Sequence, residues 1–206
     1  MAGAPTRIVL IRHAEPDEAV RGRCYGRLDV ELSPRGVEHA GRLGRQLAAG
    51  RIAAVYSSPL RRAVATATPI AAALGLDLVV AAALAEIDCG ELEGATWEEI
   101  ERRYPGFFFW SSVPAGFEFP GGESYADLAA RAGGVLEEIR ARHPGETVVA
   151  VTHAGVLRSV LARLLLMPES EMFRLGVSYG GVSIVDWLDG EPVVRQLNGE
   201  SLPDGL

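Results

Sequence analysis

Short β-branched runs alternate with helix-length segments along this chain, and that alternation restricts its fold more than any other feature. Arg7 to Ile11 (RIVLI), Ala53 to Tyr56, Leu78 to Val80 and Thr147 to Thr152 (TVVAVT) read as strands. Between and after them lie segments with helix start signals. Ser33–Pro34 pairs an N-cap with a proline at the first helical position, opening a helix to about Ala49. An alanine-rich helix is expected from about Leu60 to Leu74. Thr96 with Glu99, and Ser124 with Asp127, have capping-box spacing, so helices run from there to about Pro105 and His143. Val156 to Leu166 reads as a further helix. Val182 to Trp187 and Val193 to Leu197 flank Asp189–Gly190, a hairpin signal. Strands alternating with helices predict an α/β fold, a three-layer sandwich with a mostly parallel central sheet flanked by helices.

A length of 206 residues suits a single domain, 1–206, with a sizeable core. A formal net charge of −7 argues against nucleic acid as a partner, because phosphate backbones call for a basic face. A small phosphorylated ligand is compatible with that charge, provided positive charge is concentrated locally. Cys24 and Cys89 make no disulfide framework, and no Cys/His spacing suggests zinc. With no apolar leader and no apolar run of bilayer length, the expectation is a cytoplasmic protein without a membrane partner. The one irregular stretch, Pro105 to Gly122, holds Phe107 to Trp110, Phe117 and Phe119. It reads equally as a lid and as an aromatic cluster over the core.

Four segments place Arg, His or Glu at strand ends. Arg12–His13 follows the first strand, and Arg61–Arg62 follows the second. Glu86 comes after the third, and His153–Ala154–Gly155 after Thr147–Thr152. The carboxyl ends of strands in an open parallel sheet face one crevice, so segments far apart in sequence can converge there. Each alone is commonplace: a surface Arg-His pair, a solvated helix face, an exposed carboxylate, a buried structural histidine.

Together and in order they resemble the histidine phosphatase (phosphoglycerate mutase-like) superfamily. LIRHAEP resembles its Arg-His-Gly signature, and GRCYGRLDVELSPRG the segment that follows. YSSPLRRAVATA resembles its second arginine motif, LAEIDCGELEG its acidic motif, PGGES its Gly-Glu-Ser turn and VTHAGVLR its second histidine motif. The resemblance spans about residues 7–160. It implies a phosphoglycerate mutase-like fold and a metal-independent phosphomonoesterase that needs no cofactor. His13 would be the nucleophile, forming phosphohistidine. Arg12, Arg62 and His153 would hold the phosphoryl oxygens. Arg62 is chosen over Arg61 because the family arginine directly precedes the alanine. Glu86 would be the general acid, with Glu15 and Asp17 as alternatives. Tyr25, Gly26 and the Gly155 amide are expected to contact substrate. His39 and His143 are expected at the surface.

Three positions depart from the family pattern. Ala14 and Ala154 replace glycines, and Ala19 stands where many members carry a polar residue. A methyl at Ala14 would either crowd the phosphate or sit in a differently shaped loop. The compact segment before the second histidine favours hydrolysis over mutase-type transfer. GRCYGRLD and PGGES look most like the α-ribazole phosphatase branch, which removes a 5′-phosphate late in cobalamin assembly. A non-catalytic binder of phosphorylated ligands is the competing class. A small phosphorylated molecule is the expected partner, with a homodimer compatible with the reading.

Overall fold

The computed structural model describes residues 4–105 and 116–201. Its centre is a six-stranded sheet of order β3-β2-β4-β1-β5-β6. These strands are β1 (Thr6–Arg12), β2 (Ile52–Ser57), β3 (Leu78–Val80), β4 (Thr147–Thr152), β5 (Val182–Leu188) and β6 (Glu191–Gly199). The first four run parallel, β5 adds antiparallel to β1, and β6 adds antiparallel to β5. Mostly parallel is therefore the observed architecture, with an antiparallel hairpin at one edge. The hairpin turns at Asp189 (φ 51°) and Gly190 (φ 92°), the left-handed pair that a two-residue turn of this type requires.

Period-two alternation sorts the strand side chains into two cores. Val9, Ile11, Val149 and Val151 face α1 (Pro34–Leu47) and α2 (Arg61–Leu74), meeting Leu43, Leu47 and Ile70. Ile8, Leu10, Val148 and Ala150 face α4 (Tyr125–Arg142) and α5 (Ala154–Leu164), meeting Leu128, Leu136 and Leu157. Both faces are covered, as buried parallel strands require. Ser33 caps α1, its Oγ accepting from the Gly36 amide at 3.0 Å. Both expected capping boxes form, one opening the short helix α3 (Trp97–Arg103) and one opening α4. Helix α5 starts two residues earlier than expected. His153 is its N-cap residue, in extended conformation, so the helix opens directly at the sheet edge.

Phe107 to Trp110 lie outside the described residues. Of the same segment, Phe119 is buried and Phe117 packs against the core. His39 and His143 are not free at the surface. His39 is half-buried against Gly180, whose backbone leaves no room there for a side chain. His143 bonds the Tyr56 hydroxyl at 2.9 Å and Glu146 at 2.8 Å.

Candidate active site

The carboxyl ends of β1, β2 and β4 bring His13, Arg62 and His153 together, all essentially inaccessible to solvent. Parallel pairing in the same register sets Arg12 beside Thr152, so the residues after these two strands emerge side by side. The rings of His13 and His153 lie 5.1 Å apart.

His13 Nδ1 is 2.7 Å from the carbonyl oxygen of Ala14. A carbonyl only accepts, so the proton sits on Nδ1 and Nε2 keeps its lone pair. Burial, with the Arg12 and Arg62 charges, pushes the His13 pKa well below its ordinary value. The ring is therefore neutral, the state a nucleophile needs. Ala14 completes the support by donating its amide to Thr66 Oγ1 at 3.0 Å. Its side chain is buried in a small core cluster with Leu32 and Ala40.

Arg62 is fixed by two carbonyls. Its Nη1 donates to Leu28 and its Nη2 to Gly26, each at 2.6 Å. Arg61 is exposed and pairs with Glu31. Arg12 donates to the Val177 carbonyl at 2.7 Å, and its guanidinium stacks 3.9 Å from the Tyr179 ring centre. Tyr179 also packs against His13, centroid to centroid 5.6 Å. Tyr25 sits between the two arginines, 3.4 Å from Arg12 Nη2 and with its ring under Arg62. Burial raises its hydroxyl pKa, keeping it protonated as a donor.

His153 Nε2 is 2.6 Å from Ser58 Oγ. That oxygen also accepts the Leu60 amide; when its own proton faces Nε2, the His153 proton falls on Nδ1. Three buried nitrogens then lack any protein partner: Arg12 Nε, Arg62 Nε and His153 Nδ1. Unpaired buried donors are costly and rare. Here they cluster beside the nucleophile, which is the donor set a phosphoryl group would satisfy. His153 itself carries no charge. Burial, Arg62 and His13 lower its pKa well below the ordinary range.

Glu86 accepts two backbone amides, Ile87 on Oε1 at 2.9 Å and Gly155 on Oε2 at 3.0 Å. The Gly155 amide is thus committed to the acid rather than offered to phosphate, which revises the sequence expectation. A side chain at Gly155 would collide with the Glu86 carboxylate. Gly26 likewise holds Arg62 through its carbonyl, and a side chain there would strike Ile87, Glu93 and Cys89. Arg131 fastens the acid loop from behind, donating to the carbonyls of Ala83, Ala85 and Glu86 and pairing with Glu123. The alternative acids Glu15 and Asp17 line an adjoining groove that Arg12, Tyr25 and Tyr179 also face, where Glu15 bonds Ser33 and Asp17 caps the short 3-10 turn Glu18–Val20. Ala19 is exposed on that turn.

Beside Glu86 lies a cavity of about 350 Å³ walled by Tyr25, Trp97, Phe117, Phe119, Tyr125 and Phe173. Arg12, Arg23 and Arg158 also face it. Sequence reading missed Ser58, Arg131, Arg158 and Tyr179. Arg158 closes the second histidine motif and so carried a signal; Tyr179 follows no motif and reaches the site only through the turn before β5. Among the described residues no group of three or more His, Cys, Asp or Glu is arranged to hold a metal ion, and no helix is long and apolar enough to cross a membrane.

Residues 8–200 match the family model for the histidine phosphatase superfamily (branch 1). "Phosphoserine phosphatase 1" of Hydrogenobacter thermophilus is 36% identical over 193 residues, 93% of this chain and 92% of that one. Among solved structures, mycobacterial glucosyl-3-phosphoglycerate phosphatase Rv2419c superimposes with a TM-score of 0.86 at 28% identity, covering 95% of this chain and 100% of its own. A putative α-ribazole-5′-P phosphatase from Escherichia coli gives 0.84 at 25% identity, covering 96% and 98%.

Proposed function

Because the chain belongs to the histidine phosphatase superfamily and is a phosphatase of that family, we propose that it hydrolyses a small phosphorylated metabolite through phosphohistidine at His13. The observation that carries this reading is the neutral His13, its proton held on Nδ1 by Ala14, beside three unpartnered nitrogens of Arg12, Arg62 and His153. In the first step Nε2 attacks phosphorus and the bond from phosphorus to the ester oxygen breaks. Glu86 protonates that oxygen, and the alcohol leaves. In the second step Glu86 takes a proton from water, the water oxygen attacks phosphorus, and the P–N bond breaks. Inorganic phosphate leaves and Nε2 regains its lone pair. The two arginines spread over the equatorial oxygens the positive charge that a metal supplies in other phosphotransfer sites.

The aromatic wall beside Glu86 supports α-ribazole 5′-phosphate as a second reading, since a flat base would stack there. The phosphoserine and glucosyl-3-phosphoglycerate phosphatases among its relatives support phosphorylated acids instead. The test is a panel of phosphate esters in EDTA, including α-ribazole 5′-phosphate and 3-phosphoglycerate, on wild type and His13→Ala. The expected result is turnover by wild type alone, with acid-labile phosphate trapped on His13. Equal activity in both proteins would overturn the covalent reading.

A further inference from the structure

Arg158 is a half-buried cation that the proposed chemistry does not use. It lies on α5 four residues after Ala154 and three after Gly155, and all three line the aromatic cavity. Residues at those spacings share one helix face. Helical side chains lean toward the N-terminus, which carries this guanidinium back toward the catalytic end. Its electrostatics agree: burial and the Arg12 charge lower its pKa, while Glu86 opposes them.

The group is held in place. Nε donates to the Leu175 carbonyl at 3.1 Å, and the guanidinium carbon lies 5.0 Å from the Phe173 ring centre. With Nε committed, the two terminal nitrogens remain as a planar fork that fits a carboxylate. Arg7 and Arg131, also partly buried, have acidic partners, Asp186 and Glu123. Among the described residues Arg158 forms no ion pair with a carboxylate. A partly desolvated cation without an ion-pair partner at a cavity wall calls for an anionic ligand. The phosphoryl group already has Arg12, Arg62 and His153.

We propose that Arg158 anchors a carboxylate on the leaving group, so that the substrates are phosphate monoesters of hydroxy acids. The proposal rests on His13 as the phosphoryl site. The test uses His13→Ala protein, titrated calorimetrically with two matched pairs. O-phosphoserine is set against O-phosphoethanolamine, and 3-phosphoglycerate against glycerol 3-phosphate; the first member of each pair carries the carboxylate. A charge-assisted bond predicts roughly tenfold or greater preference for the acid. Adding Arg158→Met should abolish most of that preference, and Arg158→Lys, which keeps charge and stem but not the fork, should leave part of it. No preference, or a preference that Arg158→Met leaves intact, overturns the anchor. So does tighter binding of α-ribazole 5′-phosphate than of either acid. An Arg158-dependent preference for fructose 1,6-bisphosphate over fructose 6-phosphate, with none for the acids, assigns the fork to a second phosphate instead. His13-dependent turnover of phosphoethanolamine without acid preference removes the anchor and keeps the nucleophile. Acid-selective binding without His13-dependent turnover does the reverse.

Discussion

The amide of Gly155 donates to Glu86 Oε2 at 3.0 Å, joining the start of α5 to the acid loop. That approach is open only because residue 155 has no side chain. Gly155→Ala should therefore push the carboxylate out of line with the leaving oxygen. General acid catalysis contributes about 10²–10⁴-fold, so kcat should fall by roughly 10–100-fold with KM much less affected. Steady-state kinetics on an alkyl phosphate would check this; a fall confined to KM would contradict it.

Glu86→Gln removes the proton that a poor leaving group needs. Loss of kcat should be largest for alkyl phosphates and much smaller for p-nitrophenyl phosphate, whose leaving group needs little protonation. A Brønsted plot against leaving-group pKa reads the difference. Equal loss across the series would assign Glu86 another role and return attention to Glu15 or Asp17.

Arg61 and Arg62 are adjacent but face opposite environments, one exposed and one fully buried. Arg62→Met should abolish measurable turnover. It also strands the Gly26 and Leu28 carbonyls, at a cost of about 1–3 kcal/mol for each buried group left unsatisfied. Arg61→Ala removes a surface ion pair and should shift stability by less than about 1 kcal/mol. Urea melts and kcat/KM on the two variants separate these outcomes.

His13 and His153 both have pKa values held well below the ordinary histidine range. The unfolded chain thus binds more protons than the folded one as pH falls through about 6.5, and stability must fall with it. One pH unit below that value, a histidine held neutral in the fold forfeits about 1.4 kcal/mol. Urea unfolding at pH 7.5 and 5.5 should show this loss, and His13→Ala/His153→Ala should flatten the slope. For catalysis the same shift keeps Nε2 unprotonated, so the acid limb of kcat/KM should not report a histidine pKa near 6.5.

Ala14→Gly restores the glycine of the family signature. Since the Ala14 methyl packs with Leu32 and Ala40, the change should cost roughly 1 kcal/mol of stability. Turnover should be little altered. A marked gain in kcat would mean that the methyl does crowd the reacting group.

The sequence by itself determined the layered α/β fold and most element boundaries, and it singled out His13, Arg12, Arg62, Glu86 and His153 as candidates. These were legible because strand periodicity, capping boxes and short motifs are local, and local patterns survive in one dimension. The tertiary structure decided how those groups are held and charged. The Gly155 amide goes to Glu86, the His13 proton goes to Nδ1, and His153 is neutral because two arginines and a second imidazole crowd it in a buried site. It also brought in Tyr179 and Ser58, and turned Arg158 toward the cavity. Hydrogen-bond partners and desolvation depend on what folds against a residue from distant segments, and no local pattern around His13 or Arg158 encodes that.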